Sequence, residues 1–250
     1  MTAALLFDLD DTLVVEEAAA VAAFEATARA ASDRHEVDVA RLAVEARARA
    51  RELWWAGPDH PHCRRVGISS WEGLWCRFEG EALAGLRRWA PEFRREAWRR
   101  ALAAQGVDDL PLAEELGERF GVERRARHEV FPDVHAALAA AGVPLALVTN
   151  GASCLQREKL AGSGLADRFD AVVVSGDLGV GKPDASVFRH ALSLLGASAE
   201  GAVMVGDSLD RDVEGARAAG LRAVWIDRAG QPRPDGVTAI TTLAELPAVL

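Results

Sequence analysis

Two aspartates separated by one residue, Asp8 and Asp10, directly follow the apolar run Ala3-Ala4-Leu5-Leu6-Phe7. Side chains alternate between the two faces of a strand, so both carboxylates are expected on one side of a sheet edge, while Leu9 turns away. Carboxylates that are pushed together repel each other unless a cation or a shared proton relieves them. The pair therefore predicts a metal site, a nucleophile beside a general acid, or both.

Further polar clusters occur at the ends of later apolar runs. They are Thr149 with Asn150, Lys182 in Gly181-Lys182-Pro183-Asp184, and Asp207 with Asp212. Taken singly, each is typical of a turn, a helix cap or a solvated surface. Because ligands bind at the carboxyl ends of parallel strands, four such clusters in order favour one shared active site.

Lysine is scarce in this chain. Only Lys159 and Lys182 are lysines among the 29 basic residues, and arginine supplies the other positive charges. A compact ammonium differs from a planar guanidinium, and a narrow anion site can require the ammonium. The alternative is that two lysines occur by chance, and composition alone leaves both interpretations open.

The elements that must position these residues follow a regular order from about Val130 onward. Predicted strands are residues 3–7, 143–148, 171–174, 202–205 and 221–226, and predicted helices are residues 132–141, 153–161, 184–195 and 212–219. Strands that alternate with helices imply right-handed crossovers and a parallel sheet covered on both faces. The predicted fold class is therefore α/β, a doubly wound parallel sheet.

Residues from about 16 to 123 have a different composition. They are rich in alanine, arginine and glutamate, predict several helices, and contain six of the seven tryptophans. The first strand therefore lies far ahead of its expected partners, which indicates an inserted α-helical domain. We expect a catalytic core of residues 1–14 and 125–250 and a helical cap of residues 15–124. Trp71 and Trp75 are four residues apart, so they are expected on one helix face. Three interpretations of that face stay open: the cap interior, an interface or a substrate contact.

Composition excludes several classes of protein. A net charge of −9 argues against a nucleic-acid partner, because no basic stripe is available to replace counterions. The longest apolar runs are too short for a membrane span, and the first residues lack the order of a signal peptide. Three cysteines without metal-ligand spacing are expected to be reduced thiols. These features predict a cytoplasmic protein with neither a membrane nor a nucleic-acid partner.

As a set, the motifs resemble the haloacid dehalogenase (HAD) superfamily of hydrolases, in the branch with a helical cap inserted after the first strand. The resemblance rests on residues 7–13 (Phe-Asp-Leu-Asp-Asp-Thr-Leu), 148–151 (Val-Thr-Asn-Gly), 181–184 (Gly-Lys-Pro-Asp) and 205–212 (Val-Gly-Asp-Ser-Leu-Asp-Arg-Asp). It implies a Rossmann-like core. Dehalogenases of this superfamily lack the second acid, here Asp10, whereas its phosphatases and phosphotransferases carry both. A departing alkoxide needs a proton and a departing halide does not, so the residues favour phosphate chemistry.

The resemblance also implies a role for each site residue. In a Mg²⁺-dependent aspartyl-phosphate mechanism, Asp8 is the nucleophile and Asp10 the general acid and base. The implied metal ligands are Asp8, the backbone carbonyl of Asp10, and Asp207. The implied substrate-binding residues are Thr149, Asn150 and Lys182. Asp212 is implied to support the metal shell through water or to orient Lys182. Thr12 is implied to steady the Asp10 loop or to cap a helix. Asp11 is expected to be a capping residue.

The implied substrate is a small soluble phosphomonoester, similar to the sugar phosphates and nucleotides used by that part of the superfamily. A phosphomutase of the same superfamily is the main alternative. A 2-haloacid dehalogenase is disfavoured by Asp10, and a non-catalytic receiver-like binding module has no use for the helical insert. The sequence leaves open the natural substrate and the choice between monomer and homodimer.

Overall fold

A computed structural model describes residues 3–250. Its strands are β1 (Ala4–Phe7), β2 (Leu145–Thr149), β3 (Ala171–Val174), β4 (Ala202–Gly206), β5 (Arg222–Ile226) and β6 (Ala239–Ile240). They form one sheet in the order β3-β2-β1-β4-β5-β6, and all neighbouring strands are parallel. This arrangement confirms the predicted α/β class with a doubly wound parallel sheet. The strand order reverses beside β1, which is where such sheets form their binding crevice.

The chain divides into two compact units. One contains the described residues up to Val15, together with Arg65–Gly67 and Glu129–Leu250, and the other contains Glu16–Arg64 and Ile68–His128. Residues 16–128 hold no strand. Their helices are α1 (Glu17–Ala31), α2 (Val39–Ala56), α3 (His60–Val66), α4 (Ser70–Gly73), α5 (Ala84–Ala103) and α6 (Leu110–Arg125), with a short 3-10 helix at Glu81–Leu83.

Aromatic side chains form much of the interior of the helical unit. The Phe24 ring lies 4.5 Å from Phe120 and 6.1 Å from Trp98, between centroids. Trp75 is only 2% exposed, and the Arg124 guanidinium lies 5.0 Å from its ring centroid. Trp75, one of the two tryptophans predicted to share a helix face, therefore belongs to the interior of the helical unit.

The helices of the sheet-containing unit cover both faces of the sheet. They are α7 (Val134–Ala140), α8 (Ser153–Gly162), α9 (Ser175–Leu178), α10 (Ala185–Leu195), α11 (Gly215–Ala218) and α12 (Leu246–Val249), with 3-10 helices at Ala166–Arg168 and Leu243–Glu245 and a π-helical turn at Leu209–Glu214. Strand β1 is buried on both sides: Leu6 packs in the core with Phe188 of α10, and Leu5 in the core with Leu138 of α7. Burial on both faces explains why the strand is a continuous apolar run.

Several elements differ from the sequence prediction. The predicted helix of residues 212–219 begins three residues earlier as the π-helical turn and becomes α-helical at Gly215. The two-residue strand β6 and the single-turn helix α9 were not predicted. Among residues 3–250, no helix is both long enough and apolar enough to cross a membrane.

Candidate active site

The carboxyl ends of the three central strands bring the predicted residues together. Asp8 follows β1, and its backbone N–H donates to the Val205 carbonyl of β4 at 3.0 Å. Thr149 is the last residue of β2, and Asp207 follows the last residue of β4. Because β1 lies between β2 and β4, Asp8 is flanked on both sides by the other predicted residues.

A buried lysine joins two of the aspartates. Lys182 Nζ lies 2.6 Å from Asp8 Oδ1 and 2.6 Å from Asp212 Oδ1. Burial alone lowers the pKa of Lys182, but the negative charges of Asp212 and Asp8 outweigh this effect and raise it, so the side chain is an ammonium. Thr12 Oγ1 donates to Asp8 Oδ2 at 3.3 Å. Both oxygens of Asp8 are thus held, and Asp212 orients Lys182, one of its two predicted roles.

Three carboxylates, those of Asp8, Asp207 and Asp212, form a cluster whose oxygens lie within 4.8 Å of one another. Burial raises the pKa of Asp8 to about 6. The positive charge of Lys182 lowers this pKa, whereas the negative charges of Asp212 and Asp10 raise it further. Burial, followed by the charges of Asp8, Asp212 and Asp11, raises the pKa of Asp207 to about 8. An all-oxygen donor set of three carboxylates beside a single ammonium fits Mg²⁺. The predicted metal contact of Asp10 is through its backbone carbonyl and stays a prediction.

Asn150 holds the backbone of Lys182. Its Nδ2 donates to the Lys182 carbonyl at 2.9 Å, and its Oδ1 accepts from the Lys182 N–H at 2.8 Å. A Cβ on Gly181 would lie 2.6 Å from Asn150 Oδ1, so glycine is needed before the lysine. The sequence predicted a phosphoryl contact for the Asn150 amide or its backbone. In the structure the side-chain amide contacts the Lys182 backbone, and the phosphoryl contact stays a prediction.

Asp10 has partners that the sequence analysis did not assign to the site. Lys159 Nζ lies 3.1 Å from Asp10 Oδ1 and 2.9 Å from Oδ2. Gln156 Nε2 donates to Asp10 Oδ2 at 3.1 Å and to Thr149 Oγ1 at 2.9 Å. The available signal was the scarcity of lysine, because both lysines of the chain contact aspartates of this site. That placement favours the functional interpretation of the two lysines over chance.

The turn after Asp10 also differs from expectation. Asp11 has a left-handed backbone, with φ of 55°, and its N–H donates to the Val14 carbonyl at 2.8 Å. Helix α1 begins only at Glu17, so Asp11 and Thr12 do not cap it. The prediction of a capping role for Asp11 is therefore wrong. The Thr12 hydroxyl donates to Asp8 Oδ2 across the turn that contains Asp10, and its steadying of that turn stays a prediction.

Three residues from the middle of the inserted stretch, Arg65–Gly67, belong to the sheet-containing unit. The Val66 carbonyl accepts from the Gly151 N–H at 3.0 Å, and the Arg65 carbonyl accepts from the Gly181 N–H at 3.0 Å. The tripeptide therefore binds both loops that carry the substrate-binding candidates. The Arg65 side chain donates to the Gly179 carbonyl at 2.9 Å.

Comparison with known proteins agrees with this geometry. The sequence pattern of a family described as haloacid dehalogenase-like hydrolase matches residues 2–220. A phosphoserine phosphatase of Thermus thermophilus is 43% identical over 231 residues, which is 91% of this chain and 90% of that protein. An N-acylneuraminate-9-phosphatase of Rattus norvegicus is 36% identical over 170 residues, 64% of this chain and 68% of that protein. The chain therefore belongs to the haloacid dehalogenase-like hydrolases, as a phosphatase-type member.

Solved structures share the fold. The HAD-hydrolase YfnB from Bacillus subtilis, in a magnesium-bound crystal structure, has a TM-score of 0.67 at 22% identity and covers 100% of this chain and 98% of its own. At this identity the likeness is one of fold. A 2-haloacid dehalogenase from Pseudomonas syringae has a TM-score of 0.60 at 29% identity, with the same coverage. The fold is thus shared with dehalogenases, and the site residues must separate the two chemistries.

Proposed function

We propose that the protein is a Mg²⁺-dependent phosphomonoester hydrolase that acts on a small soluble metabolite through an aspartyl-phosphate intermediate. The observation that carries the proposal is the separate pairing of two aspartates at the end of β1. Asp8 pairs with Lys182, and Asp10 pairs with Lys159. Two carboxylates in different environments support two different roles, a nucleophile and a general acid.

The first step transfers the phosphoryl group to Asp8. A carboxylate oxygen of Asp8 forms a bond to phosphorus while the bond from phosphorus to the alcohol oxygen breaks. Asp10 gives its proton to the leaving oxygen, which departs as the alcohol. Lys182 offsets negative charge on the nucleophile and on the transferring group, and the Thr149 hydroxyl lies at the adjacent strand end.

The second step regenerates the enzyme. Asp10, now a carboxylate, takes a proton from water as the water oxygen bonds to phosphorus. The bond between phosphorus and the Asp8 oxygen breaks, which releases inorganic phosphate and restores the Asp8 carboxylate. The proton that Asp10 gave to the alcohol is thereby replaced, which completes the cycle.

The residues suited to hold Mg²⁺ are Asp8, the Asp10 carbonyl and Asp207, with Asp212 beside them. A bound Mg²⁺ supplies positive charge to the phosphoryl oxygens. We assign Glu16–Arg64 and Ile68–His128 the role of a cap that selects the leaving group, as helical inserts do when they close over a substrate.

A phosphate-release assay over phosphomonoesters tests the proposal. O-phosphoserine and sugar acid phosphates head the panel because relatives at 43% and 36% identity are phosphatases named for such compounds. We expect phosphate release with Mg²⁺, none with EDTA, and a loss on the order of 10⁴–10⁶ in kcat for Asp8→Asn. Asp177→Asn, at an exposed surface ion pair, is the matched control.

Three outcomes would contradict the proposal. Near-wild-type turnover by Asp8→Asn would show that the nucleophile is wrongly assigned. Dependence on an added bisphosphate activator would indicate a phosphomutase. Halide release from 2-haloacids without phosphate release would indicate the dehalogenase reaction, the activity of the Pseudomonas syringae structural relative.

A further inference from the structure

Two side chains of helix α8 hold the carboxylate of Asp10. Lys159 Nζ contacts both of its oxygens, at 3.1 and 2.9 Å, and Gln156 Nε2 donates to one of them at 3.1 Å. The two residues are three apart on α8, so they lie on one helix face. Three hydrogen bonds from a single helix thus fix where this carboxylate points.

The burial of these side chains is unusual for their chemistry. Lys159 and Gln156 are each 1% exposed, whereas the Asp10 side chain keeps 26% of its surface accessible. A buried ion pair is weak as a source of stability, because desolvation offsets much of its attraction. A hydrocarbon side chain at position 159 could fill the same space. A function for the charge explains its presence better than stability does.

The same amide also reaches the predicted phosphate-binding strand end. Gln156 Nε2 lies 2.9 Å from Thr149 Oγ1 and 2.5 Å from the Asn150 carbonyl, besides its contact with Asp10, so its two hydrogens are shared among three acceptors. One nitrogen therefore joins the general acid to the end of β2. This connection ties the position of the Asp10 carboxylate to the strand end where the phosphoryl group is predicted to bind.

We infer that Lys159 and Gln156 are positioning residues that aim the Asp10 carboxyl group at the leaving oxygen of the substrate. The inference rests on the proposed phosphatase function. Asp10 lies before a left-handed turn, outside the regular strand, so its own backbone does not fix the side chain. A misplacement of about 1 Å can cost about 100-fold in rate, so loss of the lysine weakens proton transfer to the alcohol.

Leaving-group dependence separates this role from general support of the site. p-Nitrophenolate departs as a stable anion and needs little protonation, whereas an alkoxide needs a proton. For Lys159→Met we expect kcat/KM to fall by about 100-fold on the alkyl phosphate that the wild-type enzyme hydrolyses fastest. On p-nitrophenyl phosphate we expect kcat/KM to fall by less than about threefold. The KM values for both substrates are expected to change little.

A double-mutant cycle with Asp10→Asn sharpens the test. If Lys159 acts through Asp10, Lys159→Met combined with Asp10→Asn is no slower on the alkyl phosphate than Asp10→Asn alone. Arg157→Met is the matched control, because Arg157 is on the same helix but pairs with Asp177 at the surface. It is expected to match wild type on both substrates.

Equal losses on both substrates, or additive losses in the cycle, would overturn the inference. An inactive wild-type enzyme would instead remove the proposed function itself. Gln156→Leu provides a second variant that keeps the buried charge. Because its amide also contacts Thr149, we expect a small loss on both substrates and a further loss on the alkyl phosphate alone. If Lys159→Met does not fold, by circular dichroism, Gln156→Leu decides: losses that are equal on the two substrates reject the positioning role.

Discussion

Asp8 and Asp10 are separated by a single residue, yet their surroundings differ in kind. Asp8 is 7% exposed and shares its lysine with Asp212, whereas Asp10 keeps a quarter of its side chain accessible and has its own lysine. A nucleophile benefits from a fixed, desolvated position, and an acid that exchanges protons with water benefits from access. The difference supports the assignment of covalent attack to Asp8 and proton transfer to Asp10.

The acid cluster predicts that Mg²⁺ stabilises the protein more at high pH than at low pH. The pKa of Asp8 is raised from 3.8 to about 6, and that of Asp207 from 3.8 to about 8. Between pH values of about 4 and 8 the folded protein therefore binds more protons than the unfolded chain, and stability without metal falls as pH rises. Deprotonation over the same range frees the carboxylates for the metal.

Thermal unfolding with MgCl₂ and with EDTA measures this effect. We expect the Mg²⁺-induced increase in Tm to be larger at about pH 8.5 than at about pH 5. Asp207→Asn should remove most of the increase at high pH, while Asp235→Asn in an exposed loop should keep it. An increase that is independent of pH would show that the cluster is not the Mg²⁺ site.

At the scale of elements, the loops after the strands determine the position of the lysines. The loop after β2 supplies Asn150, which binds the backbone on both sides of the Lys182 Cα, and helix α8 after that loop supplies Lys159. Strand β2 and its loop therefore position both ammonium groups. A change in this loop is expected to affect chemistry more than substrate binding.

Asn150→Ala tests the role of the loop. Removing the carboxamide leaves the Lys182 N–H and carbonyl without their partners, which costs about 1–3 kcal/mol of unfolding free energy. We expect kcat to fall more than KM rises, because the Lys182 ammonium is displaced from Asp8. Gly181→Ala should give the same pattern, since its Cβ would lie 2.6 Å from Asn150 Oδ1.

Urea denaturation and steady-state kinetics measure the two effects. Ser198→Ala, at an exposed hydroxyl that donates to the Glu200 carbonyl, is the control and should change neither. Wild-type kinetics for Asn150→Ala would contradict a positioning role for the loop.

The sequence predicted the positions of helices and strands better than it predicted where polar side chains point. Helix α8 was predicted at residues 153–161 and lies at Ser153–Gly162. The burial of Gln156 and Lys159 was not predictable, because polar residues in a helix of weak amphipathicity normally face water. The strand ends were found because each apolar run stops at a polar residue. Whether Asn150 faces substrate or backbone depends on a loop 32 residues away, which no local pattern reports.

At the scale of the whole molecule, charge is distributed unevenly. The chain has a net charge of −9, and its two lysines are only 1% and 5% exposed. Over residues 3–250, the exposed positive charges are therefore carried by arginines. A negative protein attracts an anionic substrate poorly over long range. Affinity for a phosphomonoester must therefore come from the local cations of the site, which are its lysines and, in the proposed function, Mg²⁺.

The burial of both lysines has a practical consequence for proteolysis. Endoproteinase Lys-C cuts after lysine and needs an unfolded stretch of chain, and both lysines of this protein are buried. Cleavage at Lys159 therefore requires local or global opening of α8, so the native protein is expected to resist the enzyme. Opening should yield fragments 1–159 and 160–250, visible on a gel. Slower appearance of these fragments with a bound phosphate analogue would measure how strongly ligand binding suppresses the opening of α8. Rapid cutting of the native enzyme would show that this helix is open in solution.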